Sequence, residues 1–302
     1  MKGKSVVYNT DTDERRGHVM DKAAMKNRDI ERVMKLRLLD DVFMKAVLHD
    51  NISAVQLIVR IILNRQDIEV VDVKTQEELT SLFGHSVRLD VLARAADGKR
   101  INLEIQRSDR GAEPKRARYH LSAVDWHTLP AGADYSELPE TYILFITEND
   151  LYGQGLPVYE VDRFIRQTGE AFEDEEHIIY VNGAYTGEDD IGKLMSDFRA
   201  TDPGKIHYEE LAEKIKMFKQ TEGGLSTMCK IMEEVRQEGV LQGMQQGMQQ
   251  GMQQGIEKGI CASVKLMRDV PYSRELVIQK IMEQFQLAPQ VAEEKVAQYW
   301  PQ

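Results

Sequence analysis

The chain has 302 residues, 42% of them hydrophobic and 29% charged, and carries a net charge of −11. That length and apolar share suit one sizeable domain with appendages, or two small domains, and exclude wholesale disorder. The acidity argues against generic coating of nucleic acid, and no stretch approaches the ~18 apolar residues of a membrane span.

Residues 1–29 are polar, lack periodicity, contain TDTDERR and show no apolar run of the signal-peptide kind, so they read as a flexible arm. From Ile30 a helical pattern runs through Val33, Leu36, Leu39, Phe43 and Val47. It breaks at His49-Asp50-Asn51 and resumes over Val55–Leu63, apolar enough to be buried on more than one side. Ile68–Val73 is short and β-branched, the pattern of a strand. Ser86–Ala95 and Ile101–Gln106 both alternate, with Ile101, Leu103 and Ile105 on one face and Asn102, Glu104 and Gln106 on the other. Arg116–Leu129 reads as a helix, Tyr142–Thr147 and His177–Val181 as buried strands, Asp189–Phe198 and Tyr208–Lys219 as amphipathic helices. The order predicts a mixed α/β domain over 30–220. Cys229 and Cys261 form no CxxC or Cys/His cluster; neither a disulfide nor structural zinc is expected, and a reducing cytoplasm is.

Ala96-Asp97-Gly98-Lys99 is a hairpin turn signal, and its length decides what the strands display. A two-residue loop at Asp97-Gly98 pairs Ala96 with Lys99 and leaves Asp90 opposite Ile105, on the wrong face. A three-residue loop with Gly98 left-handed pairs Ala95 with Lys99 and sets Asp90 opposite Glu104, with Arg88 opposite Gln106. Two carboxylates and an amide on one strand face are the hard oxygen ligands that Mg²⁺ takes. The bland reading is that Asp90 and Glu104 simply face solvent. Against it stands the apolar content around them, which leaves a central hairpin little solvent face for charges. Between Lys99 and His120 lie seven basic residues (99, 100, 107, 110, 115, 116, 118) against three acids, Glu104, Asp109 and Glu113. The basic patch therefore sits beside the candidate centre.

Arg88-Leu-Asp90-Val, Asn102-Leu-Glu104-Ile-Gln106-Arg107, Lys115-Arg-Ala-Arg118-Tyr119, Asp134–Pro139, Tyr142–Asp150 and the stretch Asp40-Asp41-Val-Phe43-Met-Lys45 together resemble the PD-(D/E)XK nuclease family transposases, also called recombination-promoting nucleases. The resemblance runs from about Leu39 to Phe218. It implies a restriction-endonuclease-like core, a central mixed four-stranded sheet flanked by helices. Asp90 and Glu104 would bind Mg²⁺ or Mn²⁺, with Asp40 or its neighbour Asp41 completing the metal shell. Gln106 would stand where many such enzymes place a lysine. Glutamine can hydrogen-bond a water or a phosphate oxygen but brings no positive charge; either the metal carries more of that task, or a neighbour such as Arg107 or Lys115 contributes, or the enzyme is slow. The catalytic set expected is thus Asp90, Glu104 and Gln106, with DNA met by Arg88, Arg107, Lys115, Arg116, Arg118 and Tyr119. The expected activity is magnesium-dependent DNA endonuclease, linked to recombination, transposition or defence. The alternative is a catalytically weak nuclease fold that binds DNA or a protein. The histidines show no metal spacing, and His120 is expected to serve packing or surface.

The tail changes character. Gly239, Gly243, Gly247, Gly251, Gly255 and Gly259 recur every four residues and GMQQ repeats three times. If helical, that glycine line drifts by about 40° per repeat. Each glycine costs about 1 kcal/mol relative to alanine. Gln and Glu between the glycines exclude a membrane helix pair. Residues 221–262 are therefore expected to be a linker or conditional helix, with an arm that joins copies of the chain as one reading of it, and 263–302 a helical segment broken near Ala288-Pro289.

Overall fold

The computed structural model describes residues 27–81, 85–107 and 111–300; the polar arm expected at 1–29 lies outside them as far as residue 26. The chain divides into two compact units, Met1–Met232 and Glu233–Gln302.

The first unit opens on helices α1 (27–35), α2 (Asp41–Leu48) and α3 (Ile52–Leu63). The break before α3 falls where expected. Asp50 takes a left-handed φ of 49°, and the Asn51 side chain caps α3 by accepting from the Ala54 N–H, satisfying a donor the helix leaves open. A second break, over 36–40, interrupts what the periodicity presented as one helix. There the Asp40 carboxylate accepts from the Arg37 N–H at 2.7 Å, and α2 starts afresh after it. Among the described residues no single helix is long and apolar enough to cross a membrane.

Six strands follow in one mixed sheet: β1 (Val70–Leu79), β2 (Val87–Ala95), β3 (Arg100–Gln106), β4 (Thr141–Thr147), β5 (Val158–Val161) and β6 (Glu176–Asn182), ordered β1-β2-β3-β4-β6-β5. β3, β4 and β6 run parallel and the remaining pairings are antiparallel. The resemblance implied a four-stranded sheet and the chain's own pattern five strands, Ile68–Val73 among them; the one strand neither announced is β5, at an edge. β1 continues through the polar stretch Lys74–Glu78 because an edge strand keeps one face in solvent, and short, half-exposed β5 closes the opposite edge.

The β2–β3 hairpin has the three-residue loop. Ala95 N–H donates to Lys99 O, Gly98 N–H to Ala95 O, and Gly98 has φ of 96°. Val91 pairs with Leu103, Leu92 with Asn102 and Ala93 with Ile101, the register that puts Asp90 opposite Glu104.

One core lies beneath α1, α2, α3 and helices α5 (Asp190–Arg199) and α6 (Glu209–Gln220), and takes Val91, Ala93, Ile101, Leu103, Ile105 and Leu144 from the sheet. The other lies beneath α4 (Pro114–Thr128) and takes Val87, Leu89, Ile143, Phe145 and Tyr180. Along β2, residues of one parity thus change sides between Leu89 and Val91. The changeover falls at Asp90, beside Gln76, whose φ is 58° within β1 and whose neighbours Thr75 and Glu77 pair with Val91 and Leu89.

Helix α7 (Glu222–Arg268) is 47 residues long and unbroken through the glycine repeat, where a linker or conditional helix was expected. Its start seals the first unit's core with buried Met228. In the second unit, Ile260 and Val264 of α7 pack with Val277 and Ile281 of α8 (Arg274–Phe285) and Ala292 and Val296 of α9 (Pro289–Tyr299). The gap between α8 and α9 falls near Ala288-Pro289, as the sequence indicates.

Candidate active site

Beyond Val91 and Leu103 the β2–β3 ladder ends, and carboxylates take over its hydrogen bonds. The Asp90 N–H donates to Glu104 Oε1 at 3.1 Å, and the Ile105 N–H donates to Asp90 Oδ2 at 3.4 Å. The parted strands open a cavity of about 800 Å³. Asp41 and Lys45 of α2, Arg88 and Asp90 of β2, Ile105 and Gln106 of β3, and Arg116, Tyr119 and His120 of α4 line it, together with Arg107 and His85.

Glu104 is fully buried, which is costly for a carboxylate unless its oxygens are satisfied. Its Oε1 accepts from Asn102 Nδ2 at 3.1 Å, and His120 Nδ1 stands 3.6 Å away. Its Oε2 has Arg116 Nη2 at 3.7 Å and no hydrogen bond. Arg116 Nε donates to His120 Nε2 at 3.3 Å, which leaves the proton of a neutral imidazole on Nδ1, facing Glu104. Asp90, in turn, has Lys45 Nζ 3.2 Å from Oδ1. Burial, then the nearby negative charge of Glu104, push the Asp90 carboxyl up to about 6, with Lys45 opposing.

Among the described residues no group of three or more His, Cys, Asp or Glu side chains is arranged to hold a metal ion. Mg²⁺ does not need three, since it keeps several waters and is commonly bound by one or two carboxylates. The residues present fit such a cation on two counts. Fully buried Glu104 and partly buried Asp90 repel each other, and Asn102 Oδ1, Glu104 Oε2 and His120 Nδ1, three buried polar atoms without a hydrogen bond, cluster at this one place.

Asp40, one of the two acids expected in a metal shell, is not among the residues that line the cavity. It precedes α2, and its carboxylate is occupied by the Arg37 N–H and by Arg107 Nη1 at 3.0 Å. The alternative, Asp41, lines the cavity and lies 2.7 Å from Lys45 Nζ. Arg107 is shared between Asp40 and Glu148, whose Oε2 is 3.4 Å from its Nε. Of the residues assigned to DNA, Arg88, Arg107, Arg116 and Tyr119 line the cavity, whereas Lys115 and Arg118 are exposed and do not. Arg116 also reaches inward to Glu104, and Tyr119 Oη donates to the His85 carbonyl at 2.7 Å.

Three site residues escaped sequence reasoning in their roles: Lys45, Asn102 and His120. Signals existed for each. Lys45 stands four residues after Asp41, Asn102 shares a strand face with Glu104, and His120 follows Arg116 by one helical turn.

Residues 49–184 match the family model described as PD-(D/E)XK nuclease family transposase. No curated protein and no solved structure matches the chain.

Proposed function

We propose that the protein is a Mg²⁺- or Mn²⁺-dependent DNA endonuclease, since residues 49–184 match the model of the PD-(D/E)XK nuclease family transposases, a family that implies a nuclease. The observation that carries this reading is the facing pair of Asp90 and Glu104, drawn into the hydrogen bonds of a ladder that ends there. These two carboxylates would hold the cation, with Asp41 as a further acid at the cavity wall. A bound divalent ion supplies Lewis-acid polarisation of a phosphoryl oxygen and a more acidic water.

The chain's own residues do the rest. Asn102, His120 and Arg116 fix Glu104 so that its geometry does not drift when a substrate enters. Gln106 offers an amide to a water or a phosphate oxygen. Arg88 and Tyr119 at the cavity wall suit a strand backbone. Hydrolysis leaves 5′-phosphate and 3′-hydroxyl ends, an outcome suited to recombination, transposition or defence.

A second reading, a nuclease fold that chiefly binds, draws support from the uncharged Gln106 and the net charge of −11. One assay separates the two. Supercoiled plasmid incubated with the protein and Mg²⁺ or Mn²⁺ is expected to be nicked, and Asp90→Ala and Glu104→Ala are each expected to abolish nicking. Intact plasmid with the wild type, or equal nicking by the variants, rejects the enzyme.

A further inference from the structure

The Asp90–Glu104 centre contains a cation that the hairpin does not supply. Lys45 enters from α2, and its Nζ lies 3.2 Å from Asp90 Oδ1 and 2.7 Å from Asp41 Oδ1. Its side chain is only 11% exposed, so the ammonium is held in the cavity rather than waving above it. The helix enforces this. Phe43, Met44, Val47 and Leu48 anchor α2 in the core, which fixes Asp41 and Lys45, one turn apart, on the flank that borders β2. The other cations at the cavity are committed elsewhere or face outward: Arg107 to Asp40 and Glu148, Arg116 to Glu104 and His120, and Arg88 on an exposed position.

We propose that Lys45 is a catalytic residue, the positive charge for the attacked phosphate that Gln106 cannot provide. The inference rests on the nuclease reading. In the reaction, a water oxygen bonds to phosphorus as the P–O3′ bond breaks. The water gives up a proton to solvent, and the departing 3′ oxygen takes one from solvent. Negative charge builds on the non-bridging oxygens meanwhile. Lys45 remains an ammonium throughout. It donates hydrogen bonds to a non-bridging oxygen, exchanging its contact with Asp90 for one with substrate over its flexible four-carbon stem. A structural role, mere neutralisation of Asp90 and Asp41, makes a different prediction: removing the charge would alter cation binding and stability but not the chemical step.

The test uses the full chain with Lys45→Met, which keeps the stem and deletes the charge, and Lys45→Arg, which keeps the charge. Nicking kinetics are read together with Mg²⁺ binding by calorimetry and with the melting temperature. Lys45→Met is expected to lower kcat by about 10²–10³-fold, the usual loss when one preorganised donor to a developing charge is removed. KM should change by no more than a few-fold, Mg²⁺ should bind at least as tightly as in the wild type, and Lys45→Arg should recover part of the rate. Wild-type kcat in Lys45→Met overturns the proposal, as does a rate loss fully accounted for by lost Mg²⁺ binding or by unfolding in both variants. If the wild type nicks and Asp90→Ala does not, while Lys45→Met matches the wild type, only the lysine's role fails. If the wild type itself is silent, the nuclease reading falls and the lysine's role with it.

Discussion

Single residues in the first unit carry ionisable groups into partly or wholly buried places, and each leaves a measurable trace. Asp125 of α4 is one outside the active site. Burial, then its hydrogen bond to Glu176, push its carboxyl up to about 7 from an ordinary 3.8. The fold therefore prefers the protonated form. The stability this contributes is complete below the ordinary value and is lost as pH rises through about 7. Melting temperature is expected to fall between pH 5 and 8 by an amount that Asp125→Asn removes; an unchanged slope in that variant would assign the fall elsewhere. In the cavity the same physics is put to use. Asp90 and Glu104 were legible in the sequence because strand alternation and one hairpin length suffice to bring them together. Lys45, arriving from a helix 45 residues before Asp90, was not, because no local period relates a helix flank to the end of a strand.

At the scale of elements, the hairpin shows how little sets a site. Gly98, with φ of 96°, lets the loop hold three residues, and the loop sets the register that faces Asp90 with Glu104. Nothing lies within 4 Å of a Cβ placed on Gly98, so Gly98→Ala tests the backbone alone. It is expected to cost about 1 kcal/mol, the order of penalty for a left-handed non-glycine residue, measured by denaturant unfolding; a neutral result would mean that the loop relaxes without strain. The elements with strong periodicity, α3, β3, β4 and α5, could be read from the chain directly. Those that could not owe their form to position. The break at 36–40 depends on the Asp40 carboxylate capturing the Arg37 N–H. The polar half of β1 and the four residues of β5 are strands because they border a sheet already formed, which composition does not announce. Asp40 itself illustrates the limit: either of two adjacent acids suited the site, and only the helix start decided that Asp41 faces it.

On the scale of the whole molecule, the first unit gathers paired charges at both ends of its sheet. The cavity lies where β3 finishes, ringed by Lys45, Arg88, Arg107 and Arg116, whereas Glu140 and Glu176 stand at the starts of β4 and β6 with Asp162 and Asp174 close by through Arg163 and His177. The second unit owns a separate core built on Ile260, Val264, Val277 and Ile281. Between that core and Met228 runs the glycine stretch of α7, where a Cβ at Gly239, Gly243, Gly247, Gly251 or Gly255 would meet nothing, and Met244 and Met248 are more than 70% exposed. Helical turns held by backbone hydrogen bonds alone, with a glycine in each, are the first to open when the rest of a protein stays closed. Amides over 239–255 are therefore expected to exchange with solvent faster than those of α3 or β4. Brief protease treatment should sever the chain there and release two pieces that each stay folded. Glycine-to-alanine changes at 243, 247 and 251 should slow both exchange and cleavage, which would show that the chain keeps a built-in point of parting between two parts that can each survive alone.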